Sequence, residues 1–200
     1  FTSQVFTTLL AETARAIEAG DLPVGAALTV GDTLLASSRN AIRSRRGRRF
    51  HAERNLLASL DNTTIPAGRR VLWVTLEPCL RCAQAIARFG VDEVVYVLDD
   101  PFGGGKALLA KGGIAVRKRP EWEKETLRLV MDFYNLFPEF CGVRQFRFLW
   151  EAWQRHTPIS RAEQVRAVFL HHLAPYLPGM ATGSHDAARR DFLAWVETLS

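Results

Sequence analysis

One short segment constrains this chain more than any other, because two cysteines follow an apolar run and a proline at close spacing. The segment reads TLEPCLRC over residues 75–82. Thiols three positions apart lie on one face of a helix's first turn, where unpaired N–H groups favour the metal-binding thiolate. Pro78 is predicted to open that turn, which does not use its missing N–H. Upstream, His51 and Glu53 form a His-x-Glu pair.

These residues offer three metal ligands, namely His51, Cys79 and Cys82. A catalytic zinc takes three protein ligands and leaves the fourth position to water, whereas a structural zinc normally closes with a fourth Cys or His. The remaining cysteine, Cys141, lies far along the chain. Glu53 would reach the water without binding the metal. We therefore predict a catalytic site, with a structural zinc site and a redox Cys-x-x-Cys pair as the alternatives.

The composition is that of an ordinary folded protein rather than a membrane or disulfide-rich one. About half of the 200 residues are apolar, which is enough for one well-filled domain or a domain with a helical addition. No apolar run is long enough to span a bilayer, so no membrane partner is expected. Three cysteines, two of them in one motif, do not make a disulfide framework and favour a reducing, cytoplasmic setting.

The hydrophobic pattern alternates between helical and strand periods, which predicts an α/β fold. We expect a three-layer α/β/α arrangement with a mixed sheet of about five strands and an extra C-terminal helical extension. Residues 1–137 form the predicted zinc-dependent domain and 138–200 the extension packed on it. Helices are predicted over 2–19, 51–60, 79–89, 106–110 and 121–137, and strands over 24–30, 33–37, 71–76, 91–98 and 114–118.

The combined motif resembles the cytidine/deoxycytidylate deaminase superfamily over about residues 3–137. His-x-Glu followed by Pro-Cys-x-x-Cys is a signature of zinc-dependent deaminases. Residues 22–27, LPVGAA, resemble the family's Pro-Val-Gly-Ala strand. Asn40 matches an asparagine that contacts the base in tRNA adenosine and guanine deaminases. Residues 82–96 and 107–116 are similar to deoxycytidylate deaminases, so the resemblance specifies the superfamily but leaves the base open.

The resemblance implies a site with one Zn²⁺ per chain and a bound water or hydroxide as the fourth ligand. Glu53 would move protons from that water to the ring nitrogen and the departing amine. Residues expected to contact the substrate are Asn40, Ala26, Ala27, Ala52 and Pro78. The implied activity is hydrolytic deamination of an amino-substituted purine or pyrimidine.

An arginine-rich loop precedes the metal-binding histidine. Its six arginines contribute +6 to a formal net charge of +5, so the rest of the chain is nearly neutral. We predict that Arg45, Arg46, Arg48 and Arg49 contact a phosphate; the alternative is a solvated surface loop. Because the basic residues are confined to one loop, we favour a free base, nucleoside or nucleotide substrate over tRNA.

Other interpretations stay open beside the preferred one. They are adenosine deamination in tRNA and a non-catalytic, zinc-stabilised interaction domain. Glu53 counts against the interaction domain, because a structural zinc site would not need it. A homodimer is also left open. The extension would pack on the core, cap the pocket, or cover a surface that relatives use for oligomerisation.

Overall fold

The structure, a computed structural model, describes residues 1–100, 103–136, 151–152 and 155–156. The chain divides into two compact units, Phe1–Val130 and Met131–Ser200. Almost all of the predicted C-terminal helical extension lies outside the described residues, so its helices and its packing remain predictions. None of the described helices is long and apolar enough to cross a membrane.

Helices and strands follow one another in the predicted order, with small shifts at their ends. The helices are α1 (Thr2–Glu18), α2 (Ala52–Ala58), α3 (Leu80–Phe89), α4 (Gly105–Lys111) and α5 (Glu123–Leu136). The strands are β1 (Gly25–Val30), β2 (Thr33–Arg39), β3 (Arg70–Leu76), β4 (Glu93–Leu98) and β5 (Ala115–Lys118). One prediction is wrong in detail: α3 begins at Leu80 with Cys79 as its N-cap, so Pro78 lies just outside the helix.

The five strands form one mixed sheet in the order β2-β1-β3-β4-β5. Strand β1 is antiparallel to both β2 and β3, whereas β3, β4 and β5 are mutually parallel. Gly31 takes a φ of 55° in the two-residue turn between β1 and β2, and tight hairpin turns of this kind require a positive φ. The expectation of a mixed sheet of about five strands is confirmed.

Helices cover both faces of the sheet and give the fold its three layers. On one face, Leu28 and Val74 pack in a single buried cluster with residues of α2, α3 and α4. On the other face, Trp122 stacks on Phe6 of α1 at 4.6 Å between ring centroids and lies 5.8 Å from Trp73 of β3. Since neighbouring strand residues point to opposite faces, the side chains of Trp73 and Val74 face different helical layers.

The topology brings the predicted ligands to one edge of the sheet. Because β1 is antiparallel to both of its neighbours, β2 and β3 run in the same direction. Their carboxyl ends therefore lie at the same edge, and α2 and α3 both begin beyond it. His51 is the N-cap of α2 and Cys79 the N-cap of α3. Two motifs far apart in sequence thus come together at the starts of two helices.

Candidate active site

The three predicted metal ligands converge at the starts of α2 and α3. The ligand atoms of His51, Cys79 and Cys82 all lie within 4.8 Å of one another. His51 and Cys79 are half-buried at their helix ends, and Cys82 is fully buried in the first turn of α3. The sequence predicted all three residues as ligands, and the fold brings His51 to the Cys79–Cys82 pair.

The donor set and its spacing fit a zinc ion. Imidazole nitrogen and thiolate sulfur are the usual zinc ligands. A tetrahedral ion with bonds of about 2.1 Å to nitrogen and 2.3 Å to sulfur needs those atoms roughly 3.6 Å apart. Cys79 Sγ lies 3.9 Å from His51 Nδ1, close to that requirement. Three protein ligands leave a fourth position for a water or a substrate.

The three candidate ligands differ in how readily each loses its proton. Hydrogen bonds with Cys82 and His51 lower the pKa of Cys79 to about 3. The hydrogen bond with Cys79 raises the pKa of His51. The hydrogen bond with Cys79, together with burial, raises the pKa of the Cys82 thiol. Zinc must displace the protons on Cys82 and His51, so its affinity will fall as the pH drops.

Glu53 lies beside the metal ligands and is almost completely buried, with 4% of its surface exposed. Burial raises the pKa of its carboxyl, and the Cys82 thiol donates a hydrogen bond to it. Glu53 is not part of the group of converging ligand atoms. A buried carboxyl with a raised pKa next to a metal site is suited to accepting and returning a proton.

Four of the five residues predicted to contact substrate lie at the sheet edge beyond which α2 and α3 begin. Ala52 follows His51 directly and Pro78 precedes Cys79, and both are buried. Ala26 packs in the same cluster as residues of α2 and α3. Asn40 is 2% exposed at the end of β2, where its Oδ1 accepts a hydrogen bond from the Ile42 N–H at 3.0 Å.

The fifth, Ala27, points to the opposite face of the sheet, so its side chain cannot contact a substrate at this site. It pairs with Trp73 across the β1–β3 ladder, and Trp73 packs on the α1 side against Trp122. Because side chains alternate along a strand, Ala26 and Ala27 cannot both face α2 and α3. We assign no base contact to the Ala27 side chain.

Comparisons with known proteins give the family of this site. Residues 2–98 match the model of the cytidine and deoxycytidylate deaminase zinc-binding region. The tRNA-specific adenosine deaminase of Aquifex aeolicus is 33% identical over 137 residues, which cover 63% of this chain and 89% of that protein. The chain belongs to the cytidine and deoxycytidylate deaminase family.

Two further matches extend the comparison. The tRNA(Ile)-lysidine synthase of Thermus thermophilus is 36% identical over 137 residues, 66% of this chain. The match spans only 25% of that protein's length. A solved structure from work on A-to-I editing by tRNA:A34 deaminases is 26% identical, with a TM-score of 0.52. The alignment covers 59% of this chain and 98% of the chain in that structure.

In this member of the cytidine and deoxycytidylate deaminase family, the arginine-rich loop is anchored by one buried aspartate that the sequence did not identify. The Asp21 carboxylate accepts hydrogen bonds from Arg39 Nη1 (2.8 Å), the Arg43 N–H (2.7 Å), and the Ser44 N–H (2.9 Å) and hydroxyl (2.6 Å). Its side chain is fully buried. The Asp21 carboxylate therefore ties the loop after β2 to the end of α1.

Asp21→Asn should make the protein less stable by about 1–3 kcal/mol at pH 7, because it removes a charged acceptor of several hydrogen bonds. Burial alone would raise the pKa of Asp21, but the bonds from Ser44, Arg43 and Arg39 outweigh it and lower the pKa below 3.8. A lowered pKa stabilises the fold above the unfolded-state pKa, and this contribution is lost as the pH falls through the folded-state value.

The measurement is denaturant unfolding of both proteins between pH 7 and pH 3. The difference in unfolding free energy between wild type and Asp21→Asn should shrink below about pH 4. Asp32→Asn, in the exposed β1–β2 turn, is the matched control and should change stability little at any pH. A constant difference across the whole range would contradict the assigned role of the Asp21 charge.

The Cys79 loop is supported from the side of α4, through residues that the sequence analysis did not single out. Lys106 Nζ lies 3.2 Å from Glu77 Oε2, whose carboxylate is buried two residues before Cys79. Gly105 approaches the backbone even more closely: a Cβ there would lie 1.7 Å from the Pro78 carbonyl oxygen. The run of three glycines at 103–105 was the available signal for such a close approach.

Proposed function

We propose that this chain is a zinc-dependent hydrolytic deaminase that converts an exocyclic amine of a nucleobase to a carbonyl and releases ammonia. One observation carries the proposal. His51, Cys79 and Cys82 present three zinc-type ligand atoms within 4.8 Å, and the carboxyl of Glu53 is buried beside them without being a fourth ligand. A metal site with a spare position and a separate proton carrier is what hydrolytic deamination requires.

In this proposal the protein's own residues divide the work between metal binding and proton transfer. When zinc is bound by His51, Cys79 and Cys82, it supplies an activated water as the nucleophile. Glu53 would accept one proton of that water and transfer it to the ring nitrogen of the base. It would then take the remaining proton of the added hydroxyl and give it to the amine, so that the carbonyl forms as ammonia leaves. The raised pKa of Glu53 supports this role, because the carboxyl must hold a proton between the two transfers.

We further propose that the base binds beside this centre against Ala26, Ala52 and Pro78, with Asn40 as a polar contact. Burial supports the three apolar residues, since a planar base needs a tight apolar pocket with few polar groups. The backbone N–H of Ala52 or Cys79 would hold a polar atom of the substrate. Asn40 is already fixed by its hydrogen bond to Ile42, which lowers the entropy lost on binding.

Two forms of substrate are candidates. The first is a free nucleobase, nucleoside or nucleotide, which the confined basic loop favours. The second is adenosine in tRNA, because the matched proteins of Aquifex aeolicus and Thermus thermophilus are both named for a tRNA substrate. A non-catalytic interaction domain would have no use for a buried Glu53.

Ammonia release by the zinc-loaded protein tests the proposal and separates the two forms. The panel contains guanine, adenine and cytosine as bases, nucleosides and monophosphates, together with unmodified tRNA. Release from a small molecule identifies the first form, and release from tRNA alone, with salt-sensitive binding, identifies the second. No release from any member of the panel would contradict the deaminase proposal.

A further inference from the structure

A groove beside the metal centre brings together arginines from two different elements. It encloses ≈ 570 Å³, and we call it the arginine groove. Its lining residues are Arg45, Arg49, Phe50, Arg54, Asn55, Leu57, Ala58, Ser59 and Ala85. Phe50 directly precedes His51, and Arg54 directly follows Glu53. The groove therefore borders the candidate active site without including its metal ligands.

The three arginines of the groove carry positive charge that no acid among the described residues neutralises. In the described part of the chain, no carboxylate lies within ion-pair distance of Arg45, Arg49 or Arg54. By contrast, Arg39 at the start of the same loop is paired with Asp21 at 2.8 Å. An anion in the groove would thus bind unpaired guanidinium groups next to the reaction site.

The two loop arginines are held in place before any ligand arrives. The Phe50 ring has the Arg45 guanidinium 4.2 Å from its centroid and the Arg49 guanidinium at 4.9 Å. Asn55 Nδ2 donates hydrogen bonds to the carbonyls of Arg39 (2.9 Å) and Phe50 (3.1 Å) and so joins the two ends of the loop. Stacking on an aromatic ring fixes a guanidinium and leaves its N–H groups free to bind an anion.

We infer that the arginine groove binds a phosphate group of the substrate, so that the reacting base belongs to a nucleotide. This inference rests on the proposed deaminase function. Guanidinium groups bind phosphate through paired, charge-assisted hydrogen bonds. The shared ligand chemistry is a phosphate ester, which either a nucleoside monophosphate or an RNA backbone can supply. Free bases and nucleosides lack it.

The structure narrows the predicted phosphate contacts and adds one. All four loop arginines predicted from sequence are exposed, but only Arg45 and Arg49 line the groove. Arg46 and Arg48 are not among its lining residues. Arg54 of α2 is the added contact. The loop therefore contains its own control, because Arg46 and Arg48 have the same charge and exposure but a different position.

The test compares R45Q/R49Q with R46Q/R48Q in the zinc-loaded protein. The probes are AMP, GMP, dCMP and an RNA anticodon stem-loop, with dissociation constants measured by calorimetry or fluorescence anisotropy. R45Q/R49Q should weaken binding of the probe that the wild type binds by about tenfold or more, since charged hydrogen bonds are lost. R46Q/R48Q should change it less than about twofold.

Binding without turnover keeps the two proposals separate. If R45Q/R49Q weakens phosphate binding but no probe or tRNA releases ammonia, the groove is supported and the deaminase proposal fails. If the enzyme deaminates bases or nucleosides as well as their phosphates, and R45Q/R49Q changes nothing, the groove inference fails. Equal weakening by the two double variants, or no binding of any phosphate probe, would also overturn it. Binding of a monophosphate or of the stem-loop identifies the phosphate source.

Discussion

Glu53→Ala and Glu53→Gln should both reduce ammonia release by about 10²–10⁴-fold or more while the protein keeps its zinc. Neither variant removes a metal ligand, since the converging donor atoms belong to His51, Cys79 and Cys82. Both remove the carboxyl that would carry protons between the attacking water and the leaving amine. The amide of Glu53→Gln preserves volume and hydrogen bonding, so it separates proton transfer from packing.

The measurement is turnover on the substrate identified by the panel, with zinc content determined on the same preparations. His51→Ala provides the contrasting control, because it should lose zinc together with activity. If Glu53→Gln turned over substrate at the wild-type rate, Glu53 would be a packing residue and the proposed mechanism would be wrong. Loss of zinc in Glu53→Gln would instead place its carboxyl among the metal-holding groups.

Gly105→Ala should be the most damaging single methyl addition near the site. The new Cβ would lie 1.7 Å from the Pro78 carbonyl oxygen and 2.7 Å from the Pro78 carbonyl carbon. Both are backbone atoms, which cannot rotate away as a flexible side chain can. Relief requires α4 to move from the segment that holds Cys79. Overpacking of this kind should lower stability by about 3 kcal/mol, despite the better helix propensity of alanine.

Zinc affinity and unfolding free energy together test this expectation. Gly105→Ala should bind zinc more weakly, because Cys79 follows directly after the displaced Pro78. Gly112→Ala, at the other end of α4, is the matched control: its φ is −80° and its new Cβ would lie 3.3 Å from the Leu109 carbonyl oxygen. It should change stability by less than about 1 kcal/mol. Wild-type zinc affinity and stability in Gly105→Ala would show that α4 does not position Cys79.

The candidate metal site could be found from sequence because its parts are local. His51 and Glu53 are two residues apart, and Cys79 and Cys82 are three apart, so short-range geometry already relates the members of each pair. The alternation of strands and helices likewise predicted the mixed five-stranded sheet. Strands and helices can be told apart by the spacing of apolar residues, which is a local property of the sequence. The C-terminal helical extension is also a sequence prediction, and it has not been tested by the described residues.

The sequence did not determine the direction in which individual side chains point. Ala26 and Ala27 were both expected at the base pocket, but adjacent strand residues point to opposite layers. Only the ladder to Trp73 and the packing of Trp122 reveal which face belongs to α1. In the same way, the sequence could not separate Arg45 and Arg49, which stack on Phe50, from Arg46 and Arg48.

The sequence by itself determined the family signature, the order of elements and the three candidate zinc ligands, because each depends on short motifs or on the pattern of neighbouring residues. The tertiary structure alone decided how those pieces meet. It placed Arg54 beside the loop arginines, Asp21 beneath that loop, and Gly105 against the Pro78 backbone. These contacts join segments that are separate in sequence, and strand direction and helix packing bring them together.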